Sequence, residues 1–497
     1  MPKVRTGCLT CKQRRIKCDE AKPDCGNCSR TGRHCEYPVT LRAPEAASQE
    51  VVQAPRRLPI RVYNLPFKVP GSQADRQLLH FYCVEAAGSL SSFSDPTLWT
   101  SLILQRSHHQ PVIRHALVTL AALHRAYLQG GNSIQPAATE ASIQRIAKCH
   151  RQLRLYLRSP NATPDTPLIC SILFYAFETL IGDANSAMQH LNNGLKLFKQ
   201  CQANWHNDEL LPHLMNIFSR LDVQASTFDD ARIPILALVT PEEMSGVVDA
   251  VPDELLDLPH AEAVLTKLQN WLMHHIIAHV SHKHKPFEEF PPYPLHERIV
   301  LYHQYERFLC ALPTLLDSLS ADLTHRALLL RIQARMYHAI LLENLPYQAR
   351  PCSLSESSLN PPTPSQVPTD SLQGTLADIQ AFLALDSPDS GPQNFTLCTQ
   401  LVAILYFLCL KTSDTQSRLT ALSLLQHSQL AAKDGLWEAD KAVSIIQFMM
   451  QHPQMRETEI QTLEHAGSGI FDPEVGGIEQ VFRRLSTQSV EPTDSGP

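Results

Sequence analysis

Six of the chain's 14 cysteines crowd into residues 8–35, spaced Cys8-x2-Cys11-x6-Cys18-x6-Cys25-x2-Cys28-x6-Cys35. The last three repeat the first three at an offset of 17, so each half presents thiols at i, i+3 and i+10. Positions three apart share a helix face, and positions seven apart nearly eclipse after two turns. Each half reads as a short helix and a turn that aim three thiolates at one centre. Soft thiolates at this spacing select zinc, which takes four ligands tetrahedrally. One zinc would use four of the cysteines, and two separate four-thiolate zincs would need eight. Six serve two ions only if two thiolates bridge, and the internal repeat makes Cys8 and Cys25 the natural bridging pair. A one-zinc ribbon on Cys8, Cys11, Cys25 and Cys28, or a set of disulfides, are the competing arrangements.

The elements that position the thiols also present a basic block, Lys12-Gln13-Arg14-Arg15-Ile16-Lys17, between Cys11 and Cys18. With both flanking cysteines turned to metal, the side chains between them point toward solvent or a ligand. Arginine and lysine pair with guanine O6 and N7 in the major groove, and a zinc-pinned helix is a rigid platform for that contact. Lys12, Lys17, Arg5 and Lys22 suit phosphate contacts, which position a protein without specifying sequence. A basic run elsewhere would read as a solvated face or a nuclear-import signal. Inside this cysteine cluster DNA contact is favoured, and import can share the same residues.

The string Cys8-Leu-Thr-Cys-Lys-Gln-Arg-Arg-Ile-Lys-Cys-Asp-Glu-Ala-Lys-Pro-Asp-Cys-Gly-Asn-Cys, with Cys35-Glu-Tyr-Pro beyond it, resembles the fungal zinc-cluster transcription factors of the binuclear six-cysteine class. The resemblance implies two zinc ions per chain, one held by Cys8, Cys11, Cys18 and Cys25 and the other by Cys8, Cys25, Cys28 and Cys35. It places Pro23 in the loop joining the halves, where relatives commonly have a cis peptide. It also implies that Arg14 and Arg15, third and fourth after the second cysteine, read CGG-type triplets in double-stranded DNA. Many relatives carry lysine at one or both positions. His34, beside Cys35, reads as a bystander.

Charge is divided along the chain. Residues 1–42 hold ten Lys/Arg against four Asp/Glu, and the remainder holds 33 against 45, for a net charge of -6. A basic head on an acidic body suggests a polyanion-binding module fused to something that binds none. Residues 36–71 carry Pro38, Pro44, Pro55, Pro59, Pro66 and Pro70, which forbids regular helix and reads as an extended linker. Its longest proline-free internal stretch, Glu45–Ala54, is too short and too poor in large apolar residues for a coiled coil. Residues 1–70 are therefore expected to be monomeric, with any homodimer formed through the body.

From residue 72 onward the periodicity turns helical. Ile113, Leu117, Leu120, Leu123 and Tyr127 form one stripe after Pro111. Ile143, Ile146, His150, Leu153 and Leu157 form a second, and Ala187, Leu191, Leu195 and Phe198 a third. The expected architecture is a small zinc-cluster domain (1–40), a Pro-rich flexible linker (41–71), a large all-α body of a dozen or more helices (72–466) and a loose tail (467–497). A disordered insertion is expected at 349–374 and a shorter break at 386–393. Ala187-x2-His190-Leu191-x2-Gly194-Leu195 and Phe218-x-Arg220-Leu221-Asp222-x-Gln224 resemble the fungal-specific helical regulatory domain that often follows a zinc cluster. That resemblance implies a regulatory or effector-sensing role.

The N-terminus lacks the apolar stretch of a signal peptide, and the apolar runs Leu168–Phe177 and Leu401–Leu410 are too short to span a membrane. A soluble protein of the nucleus is expected. His274, His275, His279, His282 and His284 invite a metal reading, but apolar residues interleave and no H-E-x-x-H pattern accompanies them, so they read as core or surface histidines. The eight scattered cysteines read mostly as small buried apolar residues. Arg483-Arg484-Leu485-Ser486 fits a basophilic-kinase site. No phosphate-binding Gly-Lys loop, Gly-x-Ser-x-Gly elbow or dinucleotide fingerprint occurs, which argues against an enzyme with a zinc-binding appendage. A zinc-dependent protein-interaction module is the other rival. The favoured reading is a DNA-binding regulator of RNA polymerase II genes working with co-activators, and specifically a pathway activator of secondary metabolism.

Overall fold

The computed structural model describes residues 7–37, 70–91, 94–129, 140–201, 209–229, 232–279, 291–317, 319–320, 323–343, 369–385, 395–412 and 414–451. Arg5, nearly all of the expected linker, the expected insertion up to residue 368, the break at 386–393, His282, His284, Ser486 and the tail lie outside them. The chain divides into two units, Met1–Lys68 and Val69–Pro497.

The first unit holds two short helices, α1 (Leu9–Gln13) and α2 (Gly26–Ser29), begun by Cys8 and Cys25 as N-caps. Its buried centre consists of Cys8, Cys11, Cys25 and Cys28, with Cys18, Cys35 and Tyr37 packed against them. An interior made of thiols has little apolar surface to bury, so metal must supply the folding energy.

The second unit begins with α3 (Gln73–Phe81), opened by a Ser72–Asp75 capping box, and runs through a π-helical turn into α4 (Ala87–Ser91). Another π-helical turn leads into α5 (Ile103–His109). There follow α6 (Pro111–Gln129), α7 (Glu140–Leu157), α8 (Asp165–Ile181), α9 (Ala184–Cys201), α10 (Leu210–Phe228), α11 (Pro241–Met244) and α12 (Leu258–Ala278). The remaining helices are α13 (Pro292–Asp317), α14 (Thr324–Glu343), α15 (Thr369–Leu385), α16 (Leu401–Lys411), α17 (Thr415–Leu425) and α18 (Ala439–Gln451). The apolar run at Leu168–Phe177 lies within α8, buried on every side between α6 and α9 and stopped by Gly182 in the left-handed conformation. Among the described residues no helix is long and apolar enough to cross a membrane.

Two expectations need correction. The body is not wholly helical: β1 (Phe395–Thr396), β2 (Lys433–Asp434) and β3 (Trp437–Glu438) form a small sheet, β1 parallel to β2 and β2 antiparallel to β3. Two-residue strands are too short to leave an alternating pattern in the sequence. The stripe assigned to α7 is also only partly buried, with Ile143 55% and Leu157 53% exposed. The helix packs mainly on α6 and hardly on α8, so only a narrow arc carrying Ile146 and Cys149 is covered.

The body residues quoted for the second resemblance act as fasteners. A side chain at Gly194 would place its Cβ 2.2 Å from Ser171 Oγ and 2.9 Å from Phe218, so glycine lets α9 approach α8 and α10. Arg220 donates to the Cys398 carbonyl at 2.7 Å, joining α10 to the segment before α16. Asp222 accepts from Arg232 at 2.6 Å and from the backbone N–H groups of Ile235 and Leu236. Gln224 accepts from Tyr175 and donates to the Asp434 carbonyl, tying α8 and the sheet to α10.

Candidate metal centre and nucleic-acid interface

The six N-terminal cysteines stand as free thiols, with no disulfide among them. Cys8 Sγ lies 3.7 Å from Cys25 Sγ and 3.9 Å from Cys28 Sγ, and Cys11 Sγ lies 3.6 Å from Cys25 Sγ. A tetrahedral zinc with Zn–S bonds of about 2.3 Å holds its sulfurs about 3.8 Å apart. The spacing therefore fits the metal. Two four-sulfur sets result, Cys8/Cys11/Cys18/Cys25 and Cys8/Cys25/Cys28/Cys35, each with its sulfurs within 4.8 Å of one another. Cys8 and Cys25 belong to both sets and would bridge two zinc ions, as the repeat required. His34 is exposed and belongs to neither set.

The protonation pattern reflects the crowding. Burial pushes the Cys11 thiol up, and Cys28 likewise. At Cys8 burial opposes ionisation, but the hydrogen bond from the Cys11 backbone N–H, 3.3 Å away, helps hold it below its ordinary value. Six sulfurs this close cannot all carry charge without a cation among them.

Polar contacts that spacing alone does not reveal hold the halves together. Asp19 accepts the Gly26 N–H with both carboxylate oxygens, at 3.1 and 2.9 Å, satisfying the start of α2. Asn27 donates to the Lys17 carbonyl at 2.9 Å, and Thr10 donates to the His34 carbonyl at 2.8 Å. Tyr37 donates to the Ala21 carbonyl and carries Lys22 over its ring at 5.7 Å. The only hint of these roles in the sequence is that the residues sit beside the cysteines. Lys22–Pro23 is a cis peptide.

The expected DNA-reading residues separate into two environments. Lys12, Arg15, Lys17 and Lys22 are exposed, whereas Arg14 is half-buried and donates to Thr31 Oγ1 at 3.3 Å across the two halves. Arg15 sits just past the end of α1 with φ of +56°. Its N–H bonds to the Lys12 carbonyl and the Ile16 N–H to the Cys11 carbonyl, the paired closure of a Schellman motif.

Residues 6–44 match the fungal Zn(2)-Cys(6) binuclear cluster domain. The N-terminal unit is a fungal binuclear zinc-cluster domain. Residues 77–240 match the fungal specific transcription factor domain, while the helical body continues to α18. Both matched domains belong to fungal transcription regulators, and neither is a catalytic family. The aspercryptin biosynthesis cluster-specific transcription regulator atnN of Emericella nidulans is 26% identical over 249 residues, 45% of this chain and 40% of that protein. The transcription regulator lscL of Purpureocillium lilacinum is 26% identical over 222 residues, 39% of this chain and 49% of that protein. Other relatives match over shorter stretches. The transcriptional regulatory protein moc3 of Schizosaccharomyces pombe is 65% identical over 45 residues, 9% of each chain. The chain thus spans less than half the length of these relatives. No solved structure matches it.

Among the described histidines that invited a metal reading in the body, His275 and His279 stand with Glu297 as one set whose ligand atoms lie within 4.8 Å of one another, and His274 is not among them. Trp271 donates to Glu297 at 2.7 Å, and Arg298 donates to His275 Nε2 at 3.1 Å. That bond occupies Nε2 alone, while His275 Nδ1 lies 3.0 Å from Glu297 Oε2. His274 likewise contacts the Leu236 carbonyl.

Proposed function

We propose that this chain is a sequence-specific DNA-binding regulator of RNA polymerase II genes, acting in the nucleus and reading CGG-type half-sites. The observation that carries the reading is the placement of Arg15. Its side chain is exposed on a left-handed residue directly behind the zinc-held helix α1, with Lys12, Lys17 and Lys22 also exposed. Arg15 supplies the bidentate guanine contact, the lysines supply phosphate contacts, and Arg14 steadies the platform through Thr31. Arg5 belongs with the phosphate-binding set. The acidic helical body carries the regulatory role, with co-activators as its partners and homodimerisation confined to it. The similarity to a regulator named for aspercryptin biosynthesis supports a pathway-specific role in secondary metabolism.

Selection of bound sites from a random duplex pool by the full chain tests this reading. Enrichment of CGG triplets that disappears in an Arg15 variant is the expected result. Enrichment of no sequence, or of triplets unaffected by Arg15, would reject it. Lys12→Ala should weaken all duplexes alike and reduce the salt slope by about one.

A further inference from the structure

We propose that His150, Glu178 and His190 form a three-ligand site for a zinc-class divalent cation in the helical body, separate from the thiolate cluster. The three come from successive helices, α7, α8 and α9, and one ligating atom of each lies within 4.8 Å of the others. Two imidazoles and one carboxylate are a recurrent zinc donor set that leaves a fourth position for water. His190 Nε2 stands 3.9 Å from Glu178 Oε1, beyond hydrogen-bond reach. Ligands bound at about 2.1 Å sit about 3.4 Å apart at the tetrahedral angle, so a small side-chain adjustment closes the gap around an ion.

A second observation points to a missing ligand. His150 Nε2 is buried without a hydrogen-bond partner among the described residues. Leaving such an atom unpaired is costly, and a metal would satisfy it. Phe174, one turn before Glu178 on α8, sets both rings: His150 packs edge-on at 4.6 Å and His190 at 5.3 Å, with the imidazoles 5.2 Å from each other. This apolar backing keeps competing water from one side. The His190 side chain is 24% exposed and Glu178 is 11% exposed, which leaves an approach for the ion. Asp183 adds negative potential at Glu178 and His190, against the positive potential of Arg154 at His150. A bound ion would pin α7, which otherwise packs mainly on α6, to α8 and α9.

Native mass spectrometry of the full chain in excess Zn2+ counts the ions. Wild type should hold three, and Glu178→Gln and His190→Asn should each hold two while keeping the helical circular dichroism of wild type. Zinc beyond two equivalents should raise the thermal midpoint of wild type and leave that of Glu178→Gln unmoved. A wild-type chain that saturates at two ions overturns the proposal, whatever the variants do. So does a third ion that survives both substitutions.

Discussion

Arg15 holds in the first half of the zinc cluster the place that Gly32 holds in the second, 17 residues later. Both backbones are left-handed, at φ of +56° and +62°. Both close a short helix with the same pair of bonds, Arg15 to Lys12 and Ile16 to Cys11 in one half, Gly32 to Ser29 and Arg33 to Cys28 in the other. Glycine adopts this conformation freely, whereas a residue with a Cβ is strained by roughly 1–2 kcal/mol. The first half accepts that strain where it presents an exposed guanidinium.

The pairing makes Arg15→Gly a cleaner probe than Arg15→Ala. Glycine removes the side chain and the strain together, so the zinc-loaded domain should be at least as stable as wild type. Discrimination for the CGG-type triplet should still fall by about 1–3 kcal/mol. Titrations of matched and mismatched duplexes, read beside a thermal melt, separate the two effects. Unchanged discrimination would remove Arg15 from the reading role.

Removal of a shared sulfur should differ from removal of an unshared one. Cys8→Ser or Cys25→Ser in residues 1–68 should lose both zinc ions, because each sulfur belongs to both sets. Cys28→Ser or Cys35→Ser should retain partial occupancy of the other set. A chelator should unfold this unit, whose interior is thiol rather than hydrocarbon. Native mass spectrometry and circular dichroism measure both outcomes, and one zinc per wild-type fragment would refute bridging.

In the body, Asp222→Ala should cost about 3–5 kcal/mol, because it strands the buried Arg232 guanidinium and two backbone N–H groups. Urea unfolding of the full chain checks this. A loss below about 1 kcal/mol would show that water replaces the carboxylate.

Acid should weaken the body through its buried histidines. Burial depresses His124, which lies between Phe81 and Phe395, to about 4, and depresses His338 to about 4. Both stay neutral in the folded chain while the unfolded chain takes up protons near 6.5. Their stabilising contribution is thus present above that value and is lost progressively as pH falls from about 6.5 toward 4. His124→Gln should flatten the decline seen in urea midpoints between pH 7 and 5. An equally steep decline in the variant would remove His124 as its source.

The two-ion thiolate centre was legible from sequence alone. Ligand number, ligand softness and helical spacing are local properties, and a repeat of 17 residues identifies which sulfurs are shared. The helices of α6 and α9 were legible for the same reason: a periodic apolar stripe must face a core. Contacts across long separations were not legible. Arg14 and Arg15 are neighbours of identical chemistry, and only the fold brings one within reach of Thr31 and sets the other on a left-handed turn. Ile143 and Leu157 satisfy the helical period on α7, yet face outward because the neighbouring helices cover only a narrow arc. The small sheet joins segments separated by the whole of α16 and α17, and its strands are too short to carry a period. His150 read as one more member of an apolar stripe, and His190 as part of a helical motif. Only the packing of α7, α8 and α9 placed both rings beside Glu178, because side-chain convergence depends on how helices pack and not on the order of residues within any one of them.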